Sequence, residues 1–181
     1  MKYRIAEIFN SIQGEGANTG QVMTFIRFAG CNLKCNFCDT DFQERIQLTK
    51  EEILQEVKKY NCNNLLLTGG EPTLQITPDF CRYFREAGYR LYLETNGTTE
   101  TVYSDIYWIT VSPKEKWKRK KGQEIKVVYI GQDLKQYEDK DFIFYYLQPC
   151  SMNNINETIQ AVKENTKWRL SLQMHKLLNI A

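Results

Sequence analysis

Short runs of apolar, β-branched and aromatic residues recur along this chain, separated by turns rich in Gly, Pro, Asn and Asp. The pattern predicts strands at Tyr3–Phe9, Val22–Phe28, Asn64–Thr68, Tyr89–Glu94, Ile106–Val111, Glu124–Ile130, Asp141–Leu147 and Trp168–Leu172. Several are apolar at nearly every position, as strands covered on both faces should be. Helical patterns fill some of the gaps. Thr49-Lys50-Glu51-Glu52 reads as a capping box, and Ile53, Leu54, Val57 and Tyr60 then form one apolar face. Thr77-Pro78 opens a second helix, which Gly88 closes. A third runs from about Asn154 to Asn165, with Ile155, Ile159 and Val162 on one side. Alternating strand and helix favours a largely parallel sheet. From Tyr89 to Leu147 there is less helix than a full eight-fold barrel requires. The expected fold is therefore α/β, an incomplete, splayed TIM-like barrel forming one domain over residues 1–181.

Composition narrows the function classes. A formal net charge of +2 gives no reason to expect a nucleic-acid or membrane partner. No stretch approaches the roughly 18 apolar residues of a spanning helix, and the start Met1-Lys2-Tyr3-Arg4-Ile5-Ala6-Glu7 lacks a signal-peptide pattern. A cytoplasmic protein is expected. In that compartment six cysteines argue against a disulfide framework. Cys62, Cys81 and Cys150 are scattered and read as small, partly buried thiols.

The other three crowd together in Gly30-Cys31-Asn32-Leu33-Lys34-Cys35-Asn36-Phe37-Cys38-Asp39-Thr40, directly after a predicted strand. Active-site loops occupy that end of strands in parallel α/β folds. One loop can thus bring three thiolates, Cys31, Cys35 and Cys38, to one [4Fe–4S] cluster. Such clusters usually take four thiolates, so three leave one iron open. The competing reading is structural zinc. Zinc wants four ligands, and no second Cys or His pair follows at suitable spacing, His175 being the sole histidine. Thr68-Gly69-Gly70-Glu71-Pro72 would alone be an ordinary turn. Behind the cysteine loop it reads as a close-approach surface for a ligand, with Glu71 able to receive an ammonium.

The Cys-x3-Cys-x2-Cys spacing, with Phe37 before the last cysteine, resembles the signature of the radical S-adenosylmethionine superfamily. The resemblance implies that the open iron chelates S-adenosylmethionine and that one electron releases a 5′-deoxyadenosyl radical. The segments Ser11-Ile12-Gln13-Gly14-Glu15-Gly16, Thr24-Phe25-Ile26-Arg27-Phe28, Glu94-Thr95-Asn96-Gly97, Ser112-Pro113-Lys114, Gln148-Pro149 and Leu172-Gln173-Met174-His175-Lys176 further resemble the 7-carboxy-7-deazaguanine synthases within it. That family converts 6-carboxy-5,6,7,8-tetrahydropterin to 7-carboxy-7-deazaguanine with ring contraction and ammonia release, on the way to 7-deazapurines such as queuosine.

The resemblance assigns roles. Arg27 would pair with the substrate carboxylate, its planar fork suiting bidentate binding; taken alone, an Arg in an apolar strand reads equally as snorkelling or internally paired. Ile12, Gln13, Gly14, Glu15 and Thr68 would meet the pterin. Phe37, Cys38, Asp39, Gly70, Ser112, Pro113, Lys114 and Gln148 would line the S-adenosylmethionine site. Thr40 would be a Mg2+ ligand, although without the family it reads as a helix cap. A homodimer and an external one-electron donor, flavodoxin or ferredoxin, are implied as well. Two features depart from the family. The tail Leu178-Asn179-Ile180-Ala181 lacks the family's C-terminal proline, so that substrate contact is not carried over. The run Trp117-Lys118-Arg119-Lys120-Lys121 is unusually basic and reads as a solvated loop, or as a surface attracting an acidic donor. Two other readings compete: an activase that places a glycyl radical on a partner protein, and a non-catalytic iron–sulfur or zinc protein.

Overall fold

Antiparallel pairing begins the sheet and parallel pairing completes it. The computed structural model describes residues 1–100, 103–114 and 116–180. Its strands are β1 (Tyr3–Ile12), β2 (Val22–Phe28), β3 (Ile46–Leu48), β4 (Asn64–Gly69), β5 (Arg90–Thr95), β6 (Ile106–Val111), β7 (Lys121–Tyr129), β8 (Asp141–Pro149) and β9 (Arg169–Leu170). They form one nine-stranded sheet in the order β3-β1-β2-β4-β5-β6-β7-β8-β9. β1 pairs antiparallel with β2 and β3, and every later pairing is parallel. The sheet does not close, because β3 and β9 each lack an outer neighbour.

Helices cover only part of it: α1 (Lys50–Val57), α2 (Pro78–Glu86), α3 (Lys135–Glu138), α4 (Ile155–Glu164) and α5 (Met174–Leu178). The capping box of α1 is complete, with Glu52 N donating to Thr49 Oγ1 at 3.2 Å and Thr49 N to Glu52 Oε2 at 2.7 Å. In α2 the Thr77 hydroxyl accepts from Phe80 N at 3.2 Å, and Pro78 occupies the first turn, where no amide is needed. Ile53, Val57, Phe80 and Phe84 are fully buried against Ile26, Phe28, Leu65, Leu67, Leu91 and Leu93 on the outer face of the sheet. A second core joins Ile125, Val127 and Leu147 to Tyr137, Ala161 and Trp168. Strand side chains alternate between faces. Leu66 and Tyr92 therefore point to the concave side, where they cluster with Met23 below the site. No helix among the described residues is long and apolar enough to cross a membrane.

Several elements differ from the sequence expectation. β3 was not expected, since Ile46-Gln47-Leu48 carries no alternation long enough to read; its pairing with β1 makes it a strand. β1 runs on to Ile12 because its hairpin partner β2 continues the ladder. β7 begins at Lys121, so the basic run ends inside a strand. In α4 the inward residues are Thr158 and Ala161, whereas Ile159 faces solvent, which corrects the expected apolar face. Tyr60 lies beyond the end of α1 and donates its hydroxyl to Ile8 O at 3.4 Å. Of the tail residues, Ala181 lies outside the described residues, and α5 is capped by Asn179 in the left-handed region.

Candidate active site

The carboxyl ends of the parallel strands surround one cavity of about 850 Å³. Ligand sites in open α/β sheets form at this edge. Its rim on one side is the loop between β2 and β3, which carries Cys31, Cys35 and Cys38 as free thiols, Cys38 exposed and the other two partly so. Cys38 N donates to Cys35 O at 3.1 Å, which turns the last two cysteines together. Leu33 N and Asn96 Nδ2 approach Cys31 Sγ at 3.4 and 3.8 Å, donors suited to a thiolate. Among the described residues no three His, Cys, Asp or Glu side chains gather tightly enough to hold a single ion. Thiolates that bind separate irons of one cluster need not converge on a point, so three cysteines on one exposed loop fit that group.

Gly69 and Gly70 press against this loop. A Cβ on Gly70 would lie 2.0 Å from Gly30 O, and one on Gly69, at φ +117°, would lie 2.3 Å from Phe28 O. Only glycine permits both contacts. Glu71 does not face the cavity, against the expectation that it receives an ammonium. It is fully buried, accepting from Thr73 N at 3.1 Å, Thr73 Oγ1 at 2.5 Å, Thr95 Oγ1 at 2.7 Å and Asn96 N at 2.7 Å. Its carboxylate ties the glycine turn to the end of β5.

Phe37, Asp39, Thr40, Gly70, Ser112, Lys114 and Gln148 reach the cavity wall together with the cysteines. Pro113 is the exception, buried behind the wall between Ser112 and Lys114. Lys114 Nζ donates to Ser112 Oγ at 2.9 Å and stands 5.4 Å from the centre of the Phe37 ring. Burial pushes its ammonium below the ordinary lysine range, partly offset by Cys35, with nearby Lys126 adding to the depression. Asp39 pairs with Lys176 and accepts from Gln173 Nε2 at 3.2 Å. Burial opposes its ionisation, but Lys176 and Gln173 hold the carboxyl below the usual range.

Opposite the cysteines, Ile12, Gln13, Gly14, Glu15, Arg27 and Thr68 form the other wall. Arg27 and Thr68 are register partners on β2 and β4. Arg27 Nε is 2.5 Å from Glu7 Oε1, and its guanidinium lies 5.7 Å from the centre of the Phe9 ring. It is both internally paired and on the cavity. His175 packs on Gly14, where any Cβ would meet its Nδ1 at 2.6 Å.

Sequence reasoning missed the centre of this wall. Lys126 on β7 bridges Glu15 Oε2 at 2.5 Å and Glu94 Oε1 at 2.9 Å. Glu94 also accepts from Gln13 Nε2 at 3.2 Å and Thr68 Oγ1 at 3.0 Å. Glu15 Oε1 accepts from Gln148 Nε2 at 3.2 Å and Gln173 Nε2 at 2.9 Å. Burial works against the Glu15 charge, yet Lys126 and Gln173 hold its carboxyl below the usual range. Burial likewise opposes the Lys126 charge, but Glu15, Glu94 and Glu124 hold the ammonium well above the usual one. The legible signal was a charged residue inside the apolar run Ile125-Lys126-Val127-Val128, the same signal that singled out Arg27.

A strand-end cavity with an open three-cysteine loop defines a class, and comparison with known proteins agrees. The family model of the radical SAM superfamily matches residues 25–168, and the chain belongs to that superfamily. It is 48% identical, over 99% of its length and 100% of the relative's, to 7-carboxy-7-deazaguanine synthase of Bacteroides thetaiotaomicron. To the protein of that name from Haemophilus influenzae it is 34% identical, over 98% of this chain and 94% of the relative. A solved structure titled "Crystal structure of QueE from Escherichia coli" superposes with a TM-score of 0.79 at 27% identity, covering 97% of this chain and 95% of that one. Within the superfamily, the chain belongs to the 7-carboxy-7-deazaguanine synthase family. Its open sheet is the incomplete TIM-like barrel of that class.

Proposed function

We propose that this chain converts 6-carboxy-5,6,7,8-tetrahydropterin to 7-carboxy-7-deazaguanine with loss of ammonia. The observation that carries the reading is that one cavity is lined both by the cysteine loop with the glycine turn and by Arg27 with the Gln13, Glu15 and Glu94 network. Cys31, Cys35 and Cys38 would hold a [4Fe–4S] cluster. With S-adenosylmethionine bound, that pair supplies a 5′-deoxyadenosyl radical to the substrate. The chain's own residues bind and orient. Arg27 receives the carboxylate of the pterin in bidentate fashion, fixing the adjacent C6 hydrogen toward the cysteine side. Glu15 and Glu94 accept N–H groups of the heterocycle, and Thr68 and Gln13 hold Glu94 in place. Lys114, Ser112, Gln148 and the backbone at Gly70 line the cofactor's part of the cavity. Thr40 offers a hard oxygen for Mg2+, completed by substrate oxygens and water.

The same reading takes residues 1–181 as one domain, supported by the single continuous sheet. It also includes a homodimer in the cytoplasm and an acidic flavodoxin or ferredoxin as electron donor. An anaerobic assay of the reconstituted protein with the pterin, S-adenosylmethionine, dithionite and Mg2+ tests it. Many turnovers of 7-carboxy-7-deazaguanine per S-adenosylmethionine are expected. Deoxyadenosine formed without that product would refute the substrate and point to a protein substrate instead.

A further inference from the structure

Lys126 is the least exposed charged group on the cavity wall, with a side chain only 5% accessible. Its flanking residues Ile125 and Val127 point into the helix-side core, so alternation along β7 drives the ammonium to the concave side. There it contacts two carboxylates from distant parts of the chain, Glu15 beyond the end of β1 and Glu94 on β5. A third, Glu124, lies two residues back on the same face. It is turned behind the wall, where Oε2 accepts from Ala17 N at 3.0 Å. Burial favours the protonated form of Glu124, lifting its carboxyl to about 7, so it carries its full charge only above neutrality. One ammonium against the two carboxylates Glu15 and Glu94 leaves the wall with an excess of acceptors.

We propose that Lys126 is a positioning residue for the substrate, pinning Glu15 and Glu94 as two acceptors for the N–H-rich edge of the bicyclic ring. This rests on the pterin reading above. Without the ammonium, two half-buried carboxylates on one wall repel, which favours protonation of one of them. A carboxyl that has become a donor then faces a donor on the ligand, a mismatch that weakens recognition. The amides of Gln13, Gln148 and Gln173 orient the carboxylates but cannot replace the charge. The titratable groups around this cluster are Lys126 and Glu124 from β7, His175 from α5, and Lys114 from the β6–β7 loop.

The test compares K126M and K126R with the parent. Pterin binding to cluster-free protein is measured anaerobically by calorimetry, and kcat and KM of the reconstituted enzyme are measured against pH under dithionite. K126M should weaken pterin binding at least 30-fold and move the acid limb of kcat/KM upward by about one pH unit or more, as expected when a carboxylate loses its adjacent cation. K126R should recover most of the affinity. Folded K126M that binds within threefold of the parent with an unmoved acid limb overturns the proposal. Should K126M fail to fold, K126R decides: an acid limb unlike the parent's, despite the retained charge, also overturns it. A parent that neither binds nor turns over the pterin overturns the substrate reading itself.

Discussion

Glu15 and Asp39 share one donor: Nε2 of Gln173 lies 2.9 Å from Oε1 of Glu15 and 3.2 Å from Oδ2 of Asp39. Glu15 belongs to the proposed substrate wall and Asp39 to the cysteine loop, so one amide ties the two together. Gln173 comes from the segment after β9 and is itself buried. Replacing it with Leu removes both bonds, each worth about 1.5–3 kcal/mol when the acceptor is charged. Q173L should raise KM for both pterin and S-adenosylmethionine by about tenfold or more, read from steady-state kinetics under dithionite. A change in only one of the two would show that the amide does not couple the walls.

Gly70 sets how closely the glycine turn meets the cysteine loop. In G70A the new methyl would lie 2.0 Å from a backbone carbonyl, which cannot rotate away as a side-chain tip could. The loop must shift, so iron and sulfide per chain after reconstitution should fall well below the parent. Gly20 is the control. Its φ is positive, +90°, but a Cβ there meets nothing within 4 Å. G20A should lose only about 1–2 kcal/mol of stability and keep its iron.

Glu71 acts through the fold. Its two oxygens take donors from Thr73, Thr95 and Asn96, and no water reaches them. E71A leaves those donors unpaired and should cost about 2–4 kcal/mol in urea unfolding of the cluster-free protein. If Glu71 instead held the cofactor's ammonium, E71A would unfold like the parent and lose only S-adenosylmethionine affinity.

Much of this was legible in the sequence. Strong local signals, the Thr49–Glu52 capping box, Thr77-Pro78 and the apolar strands, fixed most elements within a few residues, because each end is chemically marked. The cysteine spacing and Arg27 marked the cavity. The rest depended on tertiary pairing. β3 exists only through β1. Glu71 resembles a ligand in sequence, but the hydroxyl and amide donors at Thr95 and Asn96 capture it from across the sheet. Lys126 gains its meaning from carboxylates that lie 111 and 32 residues away along the chain. The thiol readings held where burial alone decides: Cys81 lies in the α2 core, its thiol pushed up to about 12 by burial.

The basic run lies next to the cysteine loop. Lys118 N and Arg119 N both donate to Gly97 O, at 2.8 and 3.0 Å. The adjoining Asn96 approaches Cys31 Sγ, and Thr98 accepts from Asn32 Nδ2 at 2.8 Å. Lys116 and Lys118 are exposed. K116E/K118E should slow turnover driven by a reduced acidic flavodoxin by about tenfold at low salt, with the difference fading as salt rises. Dithionite-driven turnover should be unchanged. Equal rates with flavodoxin would place the donor elsewhere.

Glu124 gives the fold a pH dependence of unusual sign for a carboxylate. Burial, reinforced by Glu94 and Glu15 and opposed by Lys126 and the Ala17 amide, lifts it from 4.5 to about 7. Between those values the unfolded chain has released this proton while the folded chain keeps it. Folding therefore binds a proton, and stability falls as pH rises through the window. At 1.36 kcal/mol per pKa unit the full effect is about 3 kcal/mol, reached above pH 7. E124Q removes the titration while its amide oxygen can still accept from Ala17 N. Urea unfolding of the cluster-free proteins at pH 4.5 and pH 8 isolates the effect. E124Q should match the parent at the lower pH and exceed its stability by about 3 kcal/mol at the higher. A difference that does not change with pH would mean that the Glu124 carboxyl titrates alike in the folded and the unfolded chain.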